Sequence, residues 1–192
     1  MPASARGCEA EELELKAVVP DPDALRSRLL AAQGRVRFSG RMSDRRYDRQ
    51  GELTARDEVL RVRSFVPSAG PAETVLGWKG PTRRSPEGYK RREELEVGVA
   101  GHPHALLAAL GYDPVHAIDR DVEVWEVGGA AVRLERYPDM DVLLEIEGSP
   151  EAIERAIDVT GIRRDAFTAD PLAEFVRRFE ARTGRVATLS RP

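Results

Sequence analysis

Acidic and basic side chains recur at every second position in several segments of the chain. In the first of these segments, Glu12, Glu14 and Lys16 alternate with the apolar residues Leu13 and Leu15. Because side chains of a β-strand point to opposite faces in turn, one face would be ionic and the other apolar. Glutamate oxygens suit hard divalent cations, whereas arginine and lysine suit phosphate oxygens. A face that carries both favours a polyphosphate bound together with a divalent cation.

The same alternation returns later in the chain, with Leu, Ile, Val or Trp residues on the opposite face. The charged positions are Arg61 and Arg63, Lys79, Arg92 with Glu94 and Glu96, Arg120, Arg133 with Glu135, and Glu145 with Glu147. An antiparallel sheet with one solvated face gives a similar pattern. These faces, however, contain almost no Thr, Ser or Gln, which exposed strands use heavily. The composition therefore favours ionic faces that point inward, where charges must be paired or bind a ligand.

The elements that position these faces are mostly strands, with helices between them. Strands are predicted at about 11–19, 42–49, 58–65, 74–79, 89–99, 115–127, 130–137 and 141–147. Helices are predicted from Pro22 to near Gly34, from His102 to Leu110, and onward from Ser149 and from Asp170.

The helices need apolar sheet surface to cover, and the first of them would use Leu25, Leu29 and Leu30. If helices cover the outside of a closed sheet, the ionic faces must line its interior. A barrel of about eight strands has a lumen that holds side chains or one small ligand. We therefore expect an α+β fold, a closed antiparallel eight-stranded β-barrel, or tunnel, with helices packed on the outside.

Length and composition match a single domain. The chain has 192 residues and a formal net charge of −3, and this small acidic excess argues against a nucleic-acid partner. Cys8 is the single cysteine, which excludes an internal disulfide. The sequence has no bilayer-length apolar run, and residues 1–10 lack a signal-peptide core, so we expect no membrane partner and a cytoplasmic location. We expect a flexible lead over 1–10, one domain over 11–185 and a flexible tail over 186–192. A homodimer is left open.

Several short segments resemble, in order, the motifs of the CYTH superfamily, also called triphosphate tunnel metalloenzymes. Glu12–Lys16 resembles its E-x-E-x-K, Ser43–Asp48 its D-x-Y-Y-D, Leu60–Arg63 its L-R-x-R and Gly77–Pro81 its L-K-G-P, while Arg92–Glu96 is similar to R-x-E-x-E, and Leu134–Glu135 with Leu144–Glu147 to a late acidic block. The ordered set, spanning about residues 11–147, is more specific than any one piece. The superfamily includes class IV adenylyl cyclases, thiamine triphosphatases and inorganic triphosphatases.

The resemblance implies a role for each ionic position. It implies that the divalent cation, Mg²⁺ or Mn²⁺, is bound by Glu12, Glu14, Glu96, Glu135, Glu145 and Glu147. It implies that phosphate oxygens are held by Lys16, Arg61, Arg63, Lys79, Arg92 and Arg120. The catalytic set would be Glu12, Glu14, Lys16 and Glu94, and the partner would be a small-molecule triphosphate.

The chain departs from the superfamily pattern at two of these positions. The usual K-x-R is Ile118-Asp119-Arg120 here, so one lysine is missing, and we expect Arg133 to supply the lost cation. Glu135 stands where an aspartate is usual, which keeps the charge on a longer stem.

Three functions are compatible with the sequence. The first is metal-dependent hydrolysis of an inorganic, nucleoside or thiamine triphosphate. The second is cyclisation of ATP to cyclic AMP and pyrophosphate, which also needs an adenine pocket that the sequence does not identify. The third is a polyphosphate- or nucleotide-binding module without turnover. We favour hydrolysis because it requires the least of the site.

Overall fold

The computed structural model of the chain describes residues 13–84 and 90–191. Glu12 and the lead predicted over residues 1–10 lie outside the described residues. The C-terminal tail, predicted to be flexible, is hydrogen-bonded to the rest of the chain. Thr188 exchanges two backbone hydrogen bonds with Asp139, and the carbonyl of Leu189 accepts one from the amide of Asp119.

The strands form one antiparallel sheet. They are β1 Glu14–Val18, β2 Arg35–Asp48, β3 Val59–Pro67, β4 Glu73–Lys79, β5 Arg83–Arg84, β6 Lys90–Arg91, β7 Glu94–Gly98, β8 Asp113–Val127, β9 Ala130–Arg136 and β10 Leu143–Glu147. Their order is β5-β6-β1-β10-β9-β8-β2-β3-β4-β7. Eight of them have five residues or more, and β5 and β6 have two each. The predicted α+β class and the antiparallel sheet are confirmed.

The two ends of this sheet are joined by a very short piece of chain. Strand β6 pairs with β1 near one end, and β7 pairs with β4 at the other. Only Arg92 and Glu93 separate β6 from β7. The end of β6 therefore lies within about 11 Å of the start of β7. The sheet must therefore roll up. In the described part of the chain its ladder stays open between β7 and β5, so the predicted closure of the barrel is not confirmed.

Two of the described helices begin at residues whose side chains cap them, as the sequence predicts. The described helices are α1 Pro22–Ala31, α2 Glu52–Ala55, α3 Pro103–Ala109, α4 Pro150–Thr160 and α5 Leu172–Thr183, with a 3-10 turn at Arg164–Ala166. The Asp21 carboxylate accepts the amides of Asp23 and Ala24, and the Ser149 hydroxyl accepts that of Ala152. Among the described residues, none of the helices has the length and apolar content that a membrane span needs.

Helices α1 and α4 cover the apolar face of strands β1, β8, β9 and β10. Leu29 of α1 and Ile153 of α4 pack in one buried cluster with Val132 and Ile146 of the sheet. Leu30 was predicted to share this contact but is 61% exposed, because it lies about 100° around the helix from Leu29. Helix α3 covers β2 and β3 in a second apolar cluster formed by Tyr47, Val62 and Leu107. The opposite face of these strands is left to the ionic residues.

Helix α5 is an exception to the prediction that helices pack on the outside. Its Phe175 packs with Ile118, Tyr137 and Leu143. Leu143 lies two residues before Glu145 on β10, and Ile118 lies two residues before Arg120 on β8. Residues two apart in a strand share a face, so these apolar side chains are on the ionic face. Helix α5 therefore borders one end of the ionic face.

Candidate functional site

Ionic residues of β1, β10 and β9 lie opposite one another on one face of the sheet. Across β1 and β10, Glu14 pairs with Glu147 and Lys16 pairs with Glu145. Across β10 and β9, Glu145 pairs with Arg133. Because residues directly opposite in a ladder share a face, these five side chains form one patch, which we call the acidic cluster.

Within the acidic cluster, cations lie between carboxylates. Lys16 Nζ is 2.9 Å from Glu14 Oε1 and 2.7 Å from Glu145 Oε2, and Arg133 forms an ion pair with Glu145. Arg133 Nη2 is 3.8 Å from Glu147 Oε2. Burial works to raise the pKa of Glu145, but Lys16 and Arg133 outweigh it and hold that pKa well below its usual range. Glu145 is therefore a carboxylate at neutral pH.

A second group of ionic residues surrounds Asp44 on β2. Arg63 Nε donates to Asp44 Oδ1 at 2.8 Å, and Arg120 Nη2 is 2.9 Å from Asp44 Oδ2. Arg120 Nε is also 2.9 Å from Glu135 Oε1, and the hydroxyl of Tyr137 donates to Glu135 Oε2 at 2.6 Å. Burial works to raise the pKa of Asp44, but Arg63 and Arg120 lower it below its usual range. We call this group, with Arg46 and Arg61, the basic cluster.

Arg61 reaches across β4 to carboxylates on β7. It forms ion pairs with Glu94 and with Glu96, the latter at 2.8 Å, and Lys79 Nζ is 2.8 Å from Glu94 Oε2. In the ladder, Gly77 stands between Arg61 and Glu96. A Cβ at Gly77 would lie 3.3 Å from Glu96 Oε1 and 3.4 Å from Arg61 Nε. The missing side chain at Gly77 therefore gives Arg61 its path across the strand.

The two clusters act on each other electrostatically although they lie on distant strands. Lys79 of β4 is near enough to Glu145 of β10 to stabilise its charge, with four strands between them in the sheet order. Arg133 of β9 likewise repels Arg63 of β3. Such effects require the ionic faces to turn toward each other, as the rolled sheet does.

Asp44, Arg46 and Tyr137 belong to this site, and the sequence prediction did not assign them a role. Asp44 and Arg46 follow the same every-second-residue pattern along β2 as the residues that were predicted. That pattern was not followed there because the strand was inferred mainly from Tyr47. Tyr137 comes after the end of β9, and no local pattern indicates its contact with Glu135.

Arg92 was predicted to contact phosphate, but the structure gives its donors other acceptors. Its Nε donates to the carbonyl of Gly80 at 2.6 Å and its Nη2 to the carbonyl of Asp57 at 2.5 Å. Arg133, expected to replace the missing lysine, is engaged with Glu145 and Glu147. Glu12 lies outside the described residues. The roles of these three residues stay predictions.

The acidic cluster has the donor chemistry that a divalent cation requires. Glu14 and Glu147 face each other directly across β1 and β10, where like charges repel unless a cation lies near them. Carboxylate oxygens are the ligands that Mg²⁺ and Mn²⁺ prefer. Within residues 13–84 and 90–191 no three potential ligands gather into one metal-binding group. Glu12, two residues before Glu14 in the sequence, is the third candidate ligand.

The predicted ligands Glu96 and Glu135 lie outside the acidic cluster. Glu96 contacts Arg61, and Glu135 contacts Arg120 and Tyr137. These contacts make Glu96 and Glu135 partners of the arginines in the structure as it stands. Their predicted metal-binding role is untested.

Comparison with known proteins shows the class of fold. No family model matches the sequence, and no curated protein matches it. A Vibrio parahaemolyticus protein, provisionally assigned as an adenylate cyclase, superposes with a TM-score of 0.71 at 17% identity, over 88% of this chain and 99% of its own. A Pyrococcus horikoshii protein gives a TM-score of 0.70 at 24% identity, over 87% of this chain and 98% of its own.

A third solved structure adds an activity to the comparison. It is a Hippeastrum protein, provisionally assigned as an adenylyl cyclase and described as having a dominant triphosphatase activity. It superposes with a TM-score of 0.61 at 19% identity, over 92% of this chain and 97% of its own. Likeness at these identities establishes a shared fold. These solved structures therefore share the fold of this chain.

Proposed function

We propose that this chain is a divalent-metal-dependent triphosphatase that hydrolyses an inorganic, nucleoside or thiamine triphosphate. The observation that carries the proposal is the convergence of buried cations and carboxylates from many strands onto one face. We also propose that the rolled sheet encloses this face as a tunnel. The fold shared with the Hippeastrum protein, described as a triphosphatase, supports a reaction of the same class.

The arginines of the basic cluster are proposed to hold the phosphate oxygens. Arg61, Arg63 and Arg120 present guanidinium forks, which bind phosphate through two parallel hydrogen bonds. In the structure these arginines form ion pairs with carboxylates. A triphosphate would compete for the same donors, so binding would exchange one set of anionic partners for another. Lys16 and Lys79 would neutralise further phosphate charge.

The acidic cluster is proposed to serve the cation and the attacking water. Glu14 and Glu147, together with Glu12, would hold Mg²⁺ or Mn²⁺. When bound, such a cation neutralises phosphate charge and makes a water molecule more acidic. Glu14 would accept a proton from the attacking water, a role for which a glutamate must lie within hydrogen-bond reach of that water. Glu94 would orient Arg61 and Lys79 toward the phosphates.

Cyclisation of ATP is the second candidate, favoured by the shared fold with the Vibrio protein provisionally assigned as an adenylate cyclase. In that reaction the ribose 3′ oxygen attacks the α-phosphorus and pyrophosphate leaves. The same arginines would hold the phosphates. The two reactions differ in which phosphorus meets the nucleophile.

A binding module without turnover is the third candidate. It is favoured by the absence of a three-ligand metal group from the described ranges 13–84 and 90–191. The basic cluster alone would be enough to hold a polyphosphate.

A substrate panel separates the three candidates. The full chain is incubated with tripolyphosphate, ATP or thiamine triphosphate and with Mg²⁺ or Mn²⁺, and orthophosphate, pyrophosphate and cyclic AMP are measured. We expect orthophosphate without cyclic AMP, and no product in EDTA. Cyclic AMP released with pyrophosphate would favour the cyclase instead. Tight binding without any product would favour the third candidate, a binding module without turnover.

A further inference from the structure

Arg46 on β2 faces another arginine directly across the ladder. Its partner in register is Arg61 of β3. Like charges directly opposite each other in an antiparallel pair are destabilising. The β2–β8 ladder also shifts register between Arg46 and Tyr47. Such irregularities occur preferentially beside functional sites, where they redirect a side chain.

In the described part of the chain, the Arg46 side chain has no hydrogen-bonded or ion-paired partner, and only Asp44, which other arginines share, offsets its charge. Within residues 13–84 and 90–191, the Nε atoms of Arg46 and of Arg61 are buried and have no hydrogen-bond partner. The nearest acid on the same strand face is Asp44, which Arg63 and Arg120 already occupy. Burial lowers the pKa of Arg46, and repulsion from Arg61 and Arg120 adds to this effect, with Asp44 opposing it. A half-buried guanidinium whose Nε is fully buried and unbonded is costly unless an anion binds it.

The Arg46 guanidinium has no evident structural role that would offset its free-energy cost. Arg46 bridges no strands and caps no helix, since no hydrogen bond or ion pair of its side chain is present in the described part of the chain. Arg45, its neighbour on the opposite face, pairs with Asp119 in the usual way. Two adjacent guanidinium groups with unused donors are, by contrast, a suitable partner for the several oxygens of one phosphoryl group.

We propose that Arg46 is a substrate-binding residue and that Arg46 and Arg61 together clamp one phosphoryl group of the polyphosphate. This inference rests on the proposed function, because it takes the ligand of the ionic face to be a polyphosphate. Arg46 would then provide the cation that the sequence analysis expected from Arg133 in place of the missing lysine. Arg133 is paired with Glu145 and Glu147, whereas the Arg46 Nε has no acceptor among the described residues.

The test is direct binding of inorganic tripolyphosphate to the full chain in EDTA, measured by titration calorimetry. In EDTA there is no turnover, and the phosphate contacts of the protein are measured alone. We expect Arg46→Gln to weaken binding about ten- to a hundred-fold, the range for losing a hydrogen bond to a charged group. The matched control is Arg41→Gln, which removes the same charge from an exposed position on the opposite face of β2. It should leave the affinity unchanged.

The melting temperature of the ligand-free protein provides a second readout. Because Arg46 is half-buried, faces Arg61 across the ladder and has no ion-pair partner within the described residues, we expect Arg46→Met to raise it by about 2–4 °C. If Arg46 served only to stabilise the fold, replacing it would lower the melting temperature. Arg46→Lys, which keeps the charge but loses the fork, should bind with intermediate affinity.

The outcomes separate this inference from the proposed function. Arg46→Gln that binds tripolyphosphate as tightly as the unchanged protein would overturn the clamp, whatever the panel assay gives. Failure of the unchanged protein to bind in EDTA would overturn it as well. Binding that depends on Arg46 in a protein without hydrolysis would uphold the clamp and reject the triphosphatase.

Discussion

The acidic cluster and the basic cluster share one face of one sheet but differ in their balance of charge. The acidic cluster has three carboxylates and two cations, namely Glu14, Glu145, Glu147, Lys16 and Arg133. The basic cluster and its partners on β4 and β7 have five cations and four carboxylates, namely Arg46, Arg61, Arg63, Arg120, Lys79, Asp44, Glu94, Glu96 and Glu135. The first is short of a cation and the second is short of an anion.

This difference indicates a division of labour within the site. A divalent cation would complete the acidic cluster, and phosphate oxygens would complete the basic cluster. A ligand that contains both charges, a cation-bound polyphosphate, would satisfy the two clusters together. Lys79 helps to lower the pKa of Glu145, so the two clusters lie near enough to each other to share one ligand. The predictions below test whether the two clusters are separable in this way.

The largest effect is expected from removing a carboxylate of the acidic cluster. We expect Glu14→Gln to reduce metal-dependent hydrolysis of tripolyphosphate to background, because the cation loses a charged ligand. Binding of tripolyphosphate in EDTA should persist or become tighter, because one repulsive charge is gone. The measurements are phosphate release against Mg²⁺ or Mn²⁺ concentration and calorimetric titration. The control is Glu73→Gln at the exposed start of β4. Unchanged turnover in Glu14→Gln would mean that the acidic cluster does not serve the cation.

A smaller effect, on stability, is expected from Asp44→Asn. The substitution leaves Arg63 and Arg120 without their shared carboxylate in a buried position, which typically costs about 3–5 kcal/mol of unfolding free energy. Urea unfolding of the ligand-free protein measures it, with Asp113→Asn at an exposed position as control. Tripolyphosphate at about a hundred times its Kd would restore about 2.7 kcal/mol. A loss below about 1 kcal/mol would show that the basic cluster does not depend on Asp44.

The faces of the strands could be predicted from the sequence because alternation is a local property. Glu14 and Lys16 point to one face of the strand and Leu15 to the other. The period of two determines this without knowledge of any neighbouring strand. The same argument places Arg61 with Arg63 and Glu145 with Glu147. Caps such as Ser149 are local for the same reason, which is why the helix starts were also predictable.

Pairing within the site could not be predicted, because it depends on the register and curvature of the whole sheet. Arg61 contacts Glu96 only because Gly77 stands between them, a relation among three strands. Phe175 reaches the ionic side through the packing of α5, which its helical periodicity does not reveal. That Arg46 has no ion-pair partner among the described residues likewise emerges only when each neighbouring carboxylate has been matched to another cation.

The smallest effect is expected from Arg61→Gln, which removes one guanidinium from the basic cluster and keeps a hydrogen-bond donor for Glu96. We expect it to weaken tripolyphosphate binding in EDTA by about 1.5–3 kcal/mol, the range for a hydrogen bond to a charged group. The exposed Arg37→Gln on β2, which loses only its ion pair with Glu126, should bind as before. If Arg46 and Arg61 clamp the same phosphoryl group, the double substitution should cost less than the sum of the two single ones, because residues that share a partner are not additive. Strict additivity would place the two arginines on different phosphates, and affinity unchanged by Arg61→Gln would remove it from the basic cluster's binding role.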